Sequence, residues 1–345
     1  MASHLAAILH EQATPLTVEP RATPSPGPGE LLLEVKAIAI NPADASQRDN
    51  NIPPIPVYPA VIGCDVAGIV VKAGTDFPAS APQPGTRVVA LASSFFKEGK
   101  TQYGAFQQFV LTSYQCVTSL PATISFEEGA VFPLATLTAL SGFATVGIPL
   151  DKRFAPEEKK AVLLWGGASS VGTIAIQFAR QMGFILYTTA SPSNHKYLNA
   201  LGAHRTFDYS DADVVSQIVA AAREDGVRLT DAQTFARNSL QPILDVLKET
   251  KGDGPARVGH AAPLLSGAPS LKGVEVKFVM PPMEPTAQAG HFNEVFQGWL
   301  KPGLENGTVV PSPRVKVIEG GLEGLNAALD MMKQGVSATK LVVKV

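Results

Sequence analysis

The sequence predicts an α/β protein of two domains, and three features of its 345 residues support this prediction. The first third consists of short apolar segments separated by Gly and Pro, which is typical of β structure. From about Ser125, segments with strand and helix periodicity alternate, as in a parallel sheet with helices between its strands. A chain of this length is expected to form roughly two domains with sizeable cores. We therefore expect a small barrel in the first region and an open α/β sheet in the second.

Strands are predicted at three places in the first third. The turn-rich segment 24–29 leads into a strand over 30–40, and further strands are expected over 61–71 and 86–91, with Gly and Pro between them. Period-two alternation places these apolar residues on one face of the first strand: Leu31, Leu33, Val35, Ala37 and Ala39.

The second region opens with a helix signal. Ser125 and Glu128 have the spacing of a capping box, and the long uncharged segment 129–150 follows. Because this segment contains Gly, Pro and Thr residues, we expect a buried helix with bent ends rather than a membrane span. Near the end, 322–332 has helical spacing and 341–345 is a predicted strand, and this tail is expected to return to the first domain.

A glycine-rich turn is the main functional signal. It reads WGGASSVG over 165–172, after the apolar strand 161–164 and before the helical segment 173–180. Glycines permit a tight turn and a close approach of phosphate, and the N–H groups of a helix's first turn attract an anion. The serines depart from the strict G-x-G-x-x-G spacing, so a tight turn without a ligand is the alternative. The candidate pyrophosphate-binding residues are Gly166, Gly167, Ser169, Ser170, Val171 and Gly172.

The segment after the next predicted strand, 184–189, favours NADPH over NADH. In NAD-specific sites an Asp or Glu near the end of this strand binds the ribose 2′-hydroxyl, and none occurs here. Ser191, Asn194 and Lys196 instead offer a hydroxyl, an amide and a cation, which suit a 2′-phosphate. The alternative for Lys196 is a solvated helix residue.

Composition excludes several classes of protein. The formal net charge is −2 and the basic residues are scattered, so no nucleic-acid partner is expected. Cys64 and Cys116 are the two cysteines, which excludes a disulfide framework and indicates a reducing compartment. The N-terminus shows no secretory signal, so we expect a cytoplasmic protein without a membrane partner.

Eight motifs occur in the order found in one enzyme superfamily. They are NPAD (41–44), GCDVAG (63–68), PGTRV (84–88), GAF (104–106), PLATLTA (133–139), the turn 166–172, LGA (201–203) and FDY (207–209). Over nearly its whole length the sequence resembles the medium-chain dehydrogenases/reductases. It is most similar to their zinc-independent quinone and enoyl reductase branch, which includes fungal trans-acting enoyl reductases of polyketide pathways.

The resemblance implies a two-domain architecture with NADPH as cofactor. A GroES-like β-barrel catalytic domain, residues 1–120 and 291–345, is split around a Rossmann domain, residues 121–290, that binds NADPH. The substrate is expected in the cleft between them. It would be a hydrophobic small molecule or a group carried by a partner such as a polyketide synthase. The chain is expected to be a monomer or a homodimer.

The resemblance also implies that no metal is bound. In the zinc-dependent branch a Cys stands at the position of Asn41, and a His-Glu pair stands at the positions of Cys64 and Asp65. A catalytic zinc needs about three protein ligands, and only Cys64 and Asp65 are suitably placed. The alternative for Cys64 is a small buried strand residue.

Without zinc, the expected chemistry is reduction of a C=C bond conjugated with a carbonyl, because hydride adds to the β-carbon and the charge moves to the carbonyl oxygen. The resemblance assigns Asn41 to the carbonyl oxygen, Thr138 to the nicotinamide and Tyr209 to the 2′-phosphate. The alternatives are a turn residue for Asn41, a helix hydroxyl bonded to its own backbone for Thr138, and strand packing for Tyr209.

The sequence departs from the family in two places. Ile52 stands where mitochondrial-type enoyl reductases carry a tyrosine proton donor, and Tyr58 and Tyr103 are better suited to packing. The segment 227–234 is short and polar where the family has an apolar strand, so we expect an atypical centre of the cofactor sheet. After the proline-rich segment 281–285, three aromatic residues either pack in the core or cap an apolar pocket: Phe292, Phe296 and Trp299.

A second function class is compatible with these residues. Because fold and cofactor site do not determine chemistry, the chain could be an NADPH-binding protein without redox turnover. It would then act as a structural or regulatory binder, or carry out non-redox chemistry in the retained pocket.

Overall fold

The computed structural model describes residues 2–236 and 238–345, which form two compact units. Unit 1 comprises residues 1–134 and 289–345, and unit 2 comprises residues 135–288. The sequence suggested boundaries at 120/121 and 290/291. The first boundary lies later because the helix 126–129 packs on the strands of unit 1.

The strands are, in chain order, β1 (Ser3–Ile8), β2 (Thr17–Ala22), β3 (Glu30–Ala39), β4 (Asp65–Ala73), β5 (Arg87–Leu91), β6 (Phe109–Ser113), β7 (Val117–Ser119), β8 (Ala161–Trp165), β9 (Ile185–Thr189), β10 (Arg205–Phe207), β11 (Leu229–Thr234), β12 (Ala256–His260), β13 (Val274–Phe278), β14 (Arg314–Ile318) and β15 (Thr339–Lys344).

The α-helices are α1 (Pro42–Asn50), α2 (Phe126–Gly129), α3 (Pro133–Thr145), α4 (Ser170–Met182), α5 (His195–Leu201), α6 (Val214–Asp225), α7 (Leu240–Thr250), α8 (Pro285–Asn293), α9 (Lys301–Glu305) and α10 (Leu325–Gln334). A π-helical segment, Glu294–Leu300, joins α8 to α9. Short 3₁₀ turns occur at Ser94–Lys97, Thr101–Tyr103, Tyr114–Cys116, Pro156–Glu158, Pro192–Asn194 and Gly321–Gly324.

Unit 1 is built on a sheet with the strand order β14-β15-β3-β4-β5-β7, in which β6 pairs with the first half of β3. Its neighbours are antiparallel, apart from the parallel pair β14–β15 that α10 connects. Two register shifts between β3 and β4 interrupt the ladder, which increases local twist. β1 and β2 form a separate hairpin. The C-terminal strand β15 pairs with β3, so the tail returns to the first domain as predicted.

The core of unit 1 draws on both ends of the chain. Leu31, Leu33 and Val35 of β3 are buried together with Leu329 of α10 and Leu341 of β15. Alternation along β3 therefore reflects a buried face, as the sequence indicated.

Unit 2 is a parallel six-stranded sheet with the order β10-β9-β8-β11-β12-β13. The strand order reverses at β8, between β9 and β11, which is the switch point where α/β proteins commonly bind ligands. On one face, α6 and α7 bury residues such as Ile218 and Leu247 against Leu163 and Ala232.

Several predicted elements are present with shifted ends. β3, β5, β9, α10 and β15 match the predicted segments, and β4 begins at Asp65 rather than at 61. One expectation needs correction. Ser125 and Glu128 do form a capping box, but it begins the single turn α2, and the uncharged helix α3 starts separately at Pro133. In residues 2–236 and 238–345, no helix is long and apolar enough to cross a membrane.

Candidate functional site

The glycine-rich turn lies between β8 and α4 at the carboxyl end of the parallel sheet. Gly166 adopts a left-handed φ of 90°, which favours glycine, and its N–H donates to Thr189 Oγ1 at 3.1 Å. Ser169 is the N-cap of α4, because its Oγ accepts the Gly172 N–H at 3.0 Å. The same hydroxyl donates to Gly166 O at 2.8 Å. One serine thus holds both ends of the turn together.

Two glycines of this turn are required by close packing. A Cβ on Gly167 would lie 2.1 Å from Thr188 Oγ1 of β9, and a Cβ on Gly172 would lie 2.4 Å from Gly166 O. Both distances are far below a van der Waals contact. The turn can therefore stay flat against the strand end and the first turn of the helix only when these residues are glycine.

The first turn of α4 has open hydrogen-bond donors. The N–H groups of Ser170 and Val171 have no acceptor among the residues that the structure describes, whereas that of Gly172 is capped. Unpaired N–H groups at a helix N-terminus attract phosphate, and the helix dipole adds to this attraction. The turn 166–172 therefore fits the diphosphate of a dinucleotide.

The residues predicted for the 2′-phosphate follow the ends of β9 and β10, which are parallel neighbours. Ser191 Oγ and Tyr209 Oη lie 3.2 Å apart, although 18 residues separate them in sequence. Tyr209 is 53% exposed, so it does not pack in the sheet. Lys196 is exposed in the first turn of α5, and Asn194 is the half-buried residue that precedes this helix. The structure thus brings the hydroxyls of Ser191 and Tyr209 together, and that Lys196 joins them at a 2′-phosphate stays a prediction.

Thr138 lies on α3, within unit 2, and is half-buried. Its hydroxyl forms no hydrogen bond with any described residue, including the backbone of its own helix. This leaves the hydroxyl available to a ligand, and its predicted position beside the nicotinamide stays a prediction.

Asn41 lies in unit 1 and belongs to a buried polar network. We define the Lys340 network as Asn41, Asp44, Asp65 and Lys340, each at most 5% exposed. Lys340 Nζ donates to Asn41 Oδ1 at 2.6 Å and to Asp65 Oδ2 at 3.0 Å. Asn41 Nδ2 donates to Asp65 Oδ2 at 2.9 Å, and its backbone N–H donates to Asp44 Oδ2 at 2.8 Å. Both ends of the Asn41 amide are thus hydrogen-bonded, and a bond to a substrate carbonyl, which stays a prediction, would have to replace one of them.

Burial in this network changes two ionisable groups. The pKa of Asp44 is raised to about 7, mainly by burial, and the charge of Asp65 adds to the shift while hydrogen bonds from Asn41 oppose it. Burial and the carboxylates of Asp44 and Asp65 raise the pKa of the Cys64 thiol well above its usual value. The thiol lies 3.6 Å from Ser93 Oγ, and Cys64 as a whole residue is half-buried. Cys64 is therefore a protonated thiol at neutral pH.

Neither tyrosine considered as a proton donor is poised for that role. Tyr103 donates to Glu30 Oε1 at 2.5 Å, and burial followed by this carboxylate raises its pKa. Tyr58 lies 3.5 Å from Asn51 Oδ1, and Ile52 is 52% exposed. Among the described residues, no three His, Cys, Asp or Glu side chains cluster as metal ligands would.

The polar segment near 227–234 does form a central strand, β11. Asp231 and Gln233 are both fully buried, and a register shift lies between Leu229 and Ala232. Lys160 Nζ and Arg257 Nη2 lie 2.6 and 3.0 Å from the Asp231 carboxylate. The centre of the sheet is therefore atypical, as predicted.

The three aromatic residues after the proline-rich segment are buried. Phe292, Phe296 and Trp299 are at most 7% exposed, and Phe292 meets Phe96 edge to face at 5.5 Å. They pack within unit 1, which agrees with the core alternative.

Sequence reasoning missed Lys340. Its only signal is a lysine at the start of the apolar run Leu341, Val342 and Val343, where a buried charge is uncommon.

Comparison with known proteins agrees with this architecture. Residues 27–122 match the family described as the alcohol dehydrogenase GroES-like domain. The chain is 50% identical over 340 residues to the trans-enoyl reductase tndF of Aspergillus flavipes, covering 99% of this chain and 98% of the relative. It is 51% identical over 284 residues to the trans-enoyl reductase tazE of Aspergillus terreus, covering 82% and 94%.

Solved structures share the fold at lower identity. The CurK enoyl reductase has a TM-score of 0.76 at 21% identity, with 99% of both chains covered. A quinone oxidoreductase of Pseudomonas syringae has a TM-score of 0.75 at 21% identity, covering 99% of this chain and 100% of its own. Given the near full-length match to relatives at 50% identity, the chain belongs to the medium-chain dehydrogenase/reductase superfamily of nicotinamide-dependent oxidoreductases.

Proposed function

We propose that this protein is an NADPH-dependent, zinc-free reductase of C=C bonds conjugated with a carbonyl group, as in an enone, an enoyl thioester or a quinone. The observation that carries the proposal is the turn 166–172, with its packed glycines and its two unpaired N–H groups. Two relatives that are 50% and 51% identical to this chain are described as trans-enoyl reductases, which supports an enoyl substrate.

Each part of the site has its own role in the proposed reduction. The turn 166–172 would hold the diphosphate of NADPH, whose nicotinamide would supply a hydride. The unpaired hydroxyl of Thr138 is available to orient the ring or the substrate. The charge that develops on the carbonyl oxygen needs only hydrogen-bond donors. The proton for the α-carbon comes from water or a nearby hydroxyl, because Tyr103 is already bonded to Glu30.

NADPH is the proposed cofactor because hydroxyls and a cation, rather than a carboxylate, follow β9. Substitution of Lys196 by Ala or of Tyr209 by Phe should raise the Kd for NADPH roughly tenfold and leave that for NADH nearly unchanged, since one charge-assisted hydrogen bond contributes about 1.4 kcal/mol. Titration of each variant with both nucleotides measures this. Lys248→Ala, an exposed lysine on α7, is the control. Equal weakening of both nucleotides would contradict the 2′-phosphate assignment.

The zinc-free character is supported by the Lys340 network. The side chains of Asn41 and Asp65 already bind the Lys340 ammonium, so they are not free to accept a metal ion as well. We expect purified active protein to contain less than about 0.1 zinc ion per chain and to keep its activity after treatment with a chelator. Loss of activity with EDTA and its return with zinc would contradict this part.

The proposed substrate is hydrophobic and is carried by a partner, a polyketide synthase. The description of the relatives as trans-enoyl reductases suggests this.

We also propose a cytoplasmic location, and the two free thiols are compatible with a reducing compartment. Fractionation of producing cells tests the location.

The deciding experiment is a turnover panel. Purified protein is mixed with NADPH and with an enone, a quinone, an enoyl-pantetheine thioester or an enoyl group on a carrier protein, and loss of NADPH absorbance is followed together with product mass. Saturated analogues are the controls. Reduction of the enoyl substrates, fastest on the carrier, is expected. Tight NADPH binding without turnover of any substrate would instead favour the non-redox alternative.

A further inference from the structure

Lys340 is a charged residue in an apolar strand and is nearly inaccessible. It is 1% exposed on β15, next to the buried residues Leu341 and Val342. Burying an ammonium is costly unless it is paired and hydrogen-bonded. Its two bonds, to Asn41 and Asp65, meet this requirement.

The chemistry of Lys340 determines which way the Asn41 amide points. An ammonium has donors only, so the Asn41 atom that faces it must be the oxygen. The Asp65 carboxylate has acceptors only, so the atom that faces it must be the NH₂ group. Lys340 and Asp65 therefore select one of the two orientations of the carboxamide. Without the ammonium, Oδ1 of Asn41 would have no donor in the described network, and only the carboxylates that accept from its NH₂ group would hold the carboxamide.

Asp65 extends the network to another element. Its Oδ1 accepts the backbone N–H of Leu134 at 2.6 Å, while its Oδ2 accepts from Lys340 and Asn41. Leu134 lies in the first turn of α3, the helix that carries Thr138. One carboxylate is thus shared by the ammonium, the carboxamide and the start of this helix.

We propose that Lys340 is a positioning residue that fixes the Asn41 carboxamide and, through Asp65, the start of α3. The charge balance of the site supports this assignment. Asp44 and Asp65 place two carboxyl groups near a single ammonium, and loss of that ammonium would leave Asp65 as a buried carboxylate without a cation. The consequence for turnover rests on the reductase function proposed above, whereas the consequence for local structure does not.

The first test compares Lys340→Met with Lys344→Met. Lys344 is on the same strand, is 61% exposed and pairs with Glu127, so it controls for loss of a β15 lysine. Hydrogen exchange is measured at the amide of Leu134, which bonds Asp65, and at that of Asp44, which bonds Asn41 O. We expect both amides to exchange at least about tenfold faster in the Lys340 variant only, which corresponds to about 1.4 kcal/mol of lost local stability. Wild-type exchange at both amides would overturn the proposal.

Turnover adds a second readout if wild-type protein is a reductase. Lys340→Met should lower kcat for the enoyl substrate roughly tenfold or more, with the Kd for NADPH unchanged, because the nucleotide-binding turn lies in unit 2. An unchanged kcat would overturn the proposal. If wild-type protein reduces nothing on the panel, the proposed function fails, and the exchange measurements still decide the role of Lys340.

The double variant Lys340→Met/Asp65→Asn covers the case in which the single variant does not fold. Removing both charges should recover most of the melting temperature. The Asp44 amide should still exchange faster than in wild type, and kcat should remain low, because the Asn41 carboxamide has lost both charged partners that select its orientation. Full recovery of protection and of kcat would overturn the proposal, since Lys340 would then only balance charge.

Discussion

Asp44 shows how burial sets the charge of a single residue. It is 1% exposed, and its Oδ1 accepts no hydrogen bond from residues 2–236 and 238–345. The single ammonium nearby is bonded to Asn41 and Asp65. The protonated form of Asp44 is therefore favoured, and burial raises its pKa to about 7.

Stability should depend on pH through this carboxyl group. The folded pKa, about 7, lies above the ordinary value of 3.8, so the stabilisation is complete below pH 3.8 and is lost as pH rises through 7. Because a tenfold change in proton affinity corresponds to about 1.4 kcal/mol, the loss is on the order of 4 kcal/mol. Asp44→Asn keeps an oxygen for the Asn41 N–H but does not titrate.

The measurement is the unfolding free energy of both proteins between pH 4 and 9. The difference in favour of Asp44→Asn should grow up to about pH 7 and then level off. A difference that stays constant with pH would contradict the raised pKa of Asp44.

For single residues, the sequence predicts which positions belong to the site better than it predicts their hydrogen-bond partners. The motif around Asn41 predicts a site residue, but its shortest hydrogen bond is with Lys340, 299 residues further along the chain. Such a pair leaves no periodicity or spacing to detect. Ser191 is assigned to the 2′-phosphate by its hydroxyl in the segment after the predicted strand 184–189, and Tyr209 by the resemblance to quinone reductases.

The element β8–turn–α4 illustrates what local sequence can predict. An apolar strand, flexible glycines and a capped helix are encoded within residues 161–182, and the structure places them as expected. What sequence did not reveal is the reason for each glycine. Gly167 is needed for its approach to Thr188, while Ser169 stands where the strict fingerprint would have a glycine and caps α4 with its hydroxyl.

Gly167→Ala tests this element. The added methyl group would clash with Thr188 Oγ1 at 2.1 Å, so the turn must shift away from β9. We expect the Kd for NADPH to rise by roughly tenfold or more, as positioned phosphate contacts are lost. Gly254→Ala is the matched control in unit 2, since nothing lies within 4 Å of its added Cβ. Equal affinities of the two variants would disprove the packing argument.

β11 shows how a polar segment can form the centre of a sheet where the family has an apolar strand. Asp231 is fully buried, but Lys160 and Arg257 from neighbouring segments compensate its charge. Alternation cannot reveal this, because the partners come from β12 and from the residue before β8.

The ion cluster of β11 should respond asymmetrically to mutation. Lys160 and Arg257 are 28% and 39% exposed, so they can be rehydrated when Asp231 is replaced by Asn. The double variant Lys160→Met/Arg257→Met leaves a fully buried carboxylate without a cation, which should cost about 3–5 kcal/mol. Urea unfolding measures the free energy of unfolding of both variants. If Asp231→Asn loses as much stability as the double variant, this account is contradicted.

At the scale of the whole molecule, the order of elements was predictable and their boundaries were not. Motifs spread over the chain indicated an inserted cofactor domain. Its first boundary depends on α2, whose contacts with β3 and β4 no local pattern records. The return of β15 to β3 was expected from the apolar tail, but the buried lysine on that strand was not.

The two tryptophans allow each unit to be followed on its own. Trp165 ends β8 in unit 2, and Trp299 is buried in unit 1. NADPH at 100 times its Kd stabilises the folded state that binds it by about 2.7 kcal/mol.

Since the turn 166–172 belongs to unit 2, the urea midpoint reported by Trp165 in the Trp299→Phe variant should rise with NADPH. The midpoint reported by Trp299 in the Trp165→Phe variant should rise less, because multi-domain proteins commonly unfold in steps. A titration first confirms that Trp165→Phe still binds NADPH. If the urea midpoint reported by Trp165 does not change at saturating NADPH, the nucleotide does not bind unit 2, and the assignment of the turn is contradicted.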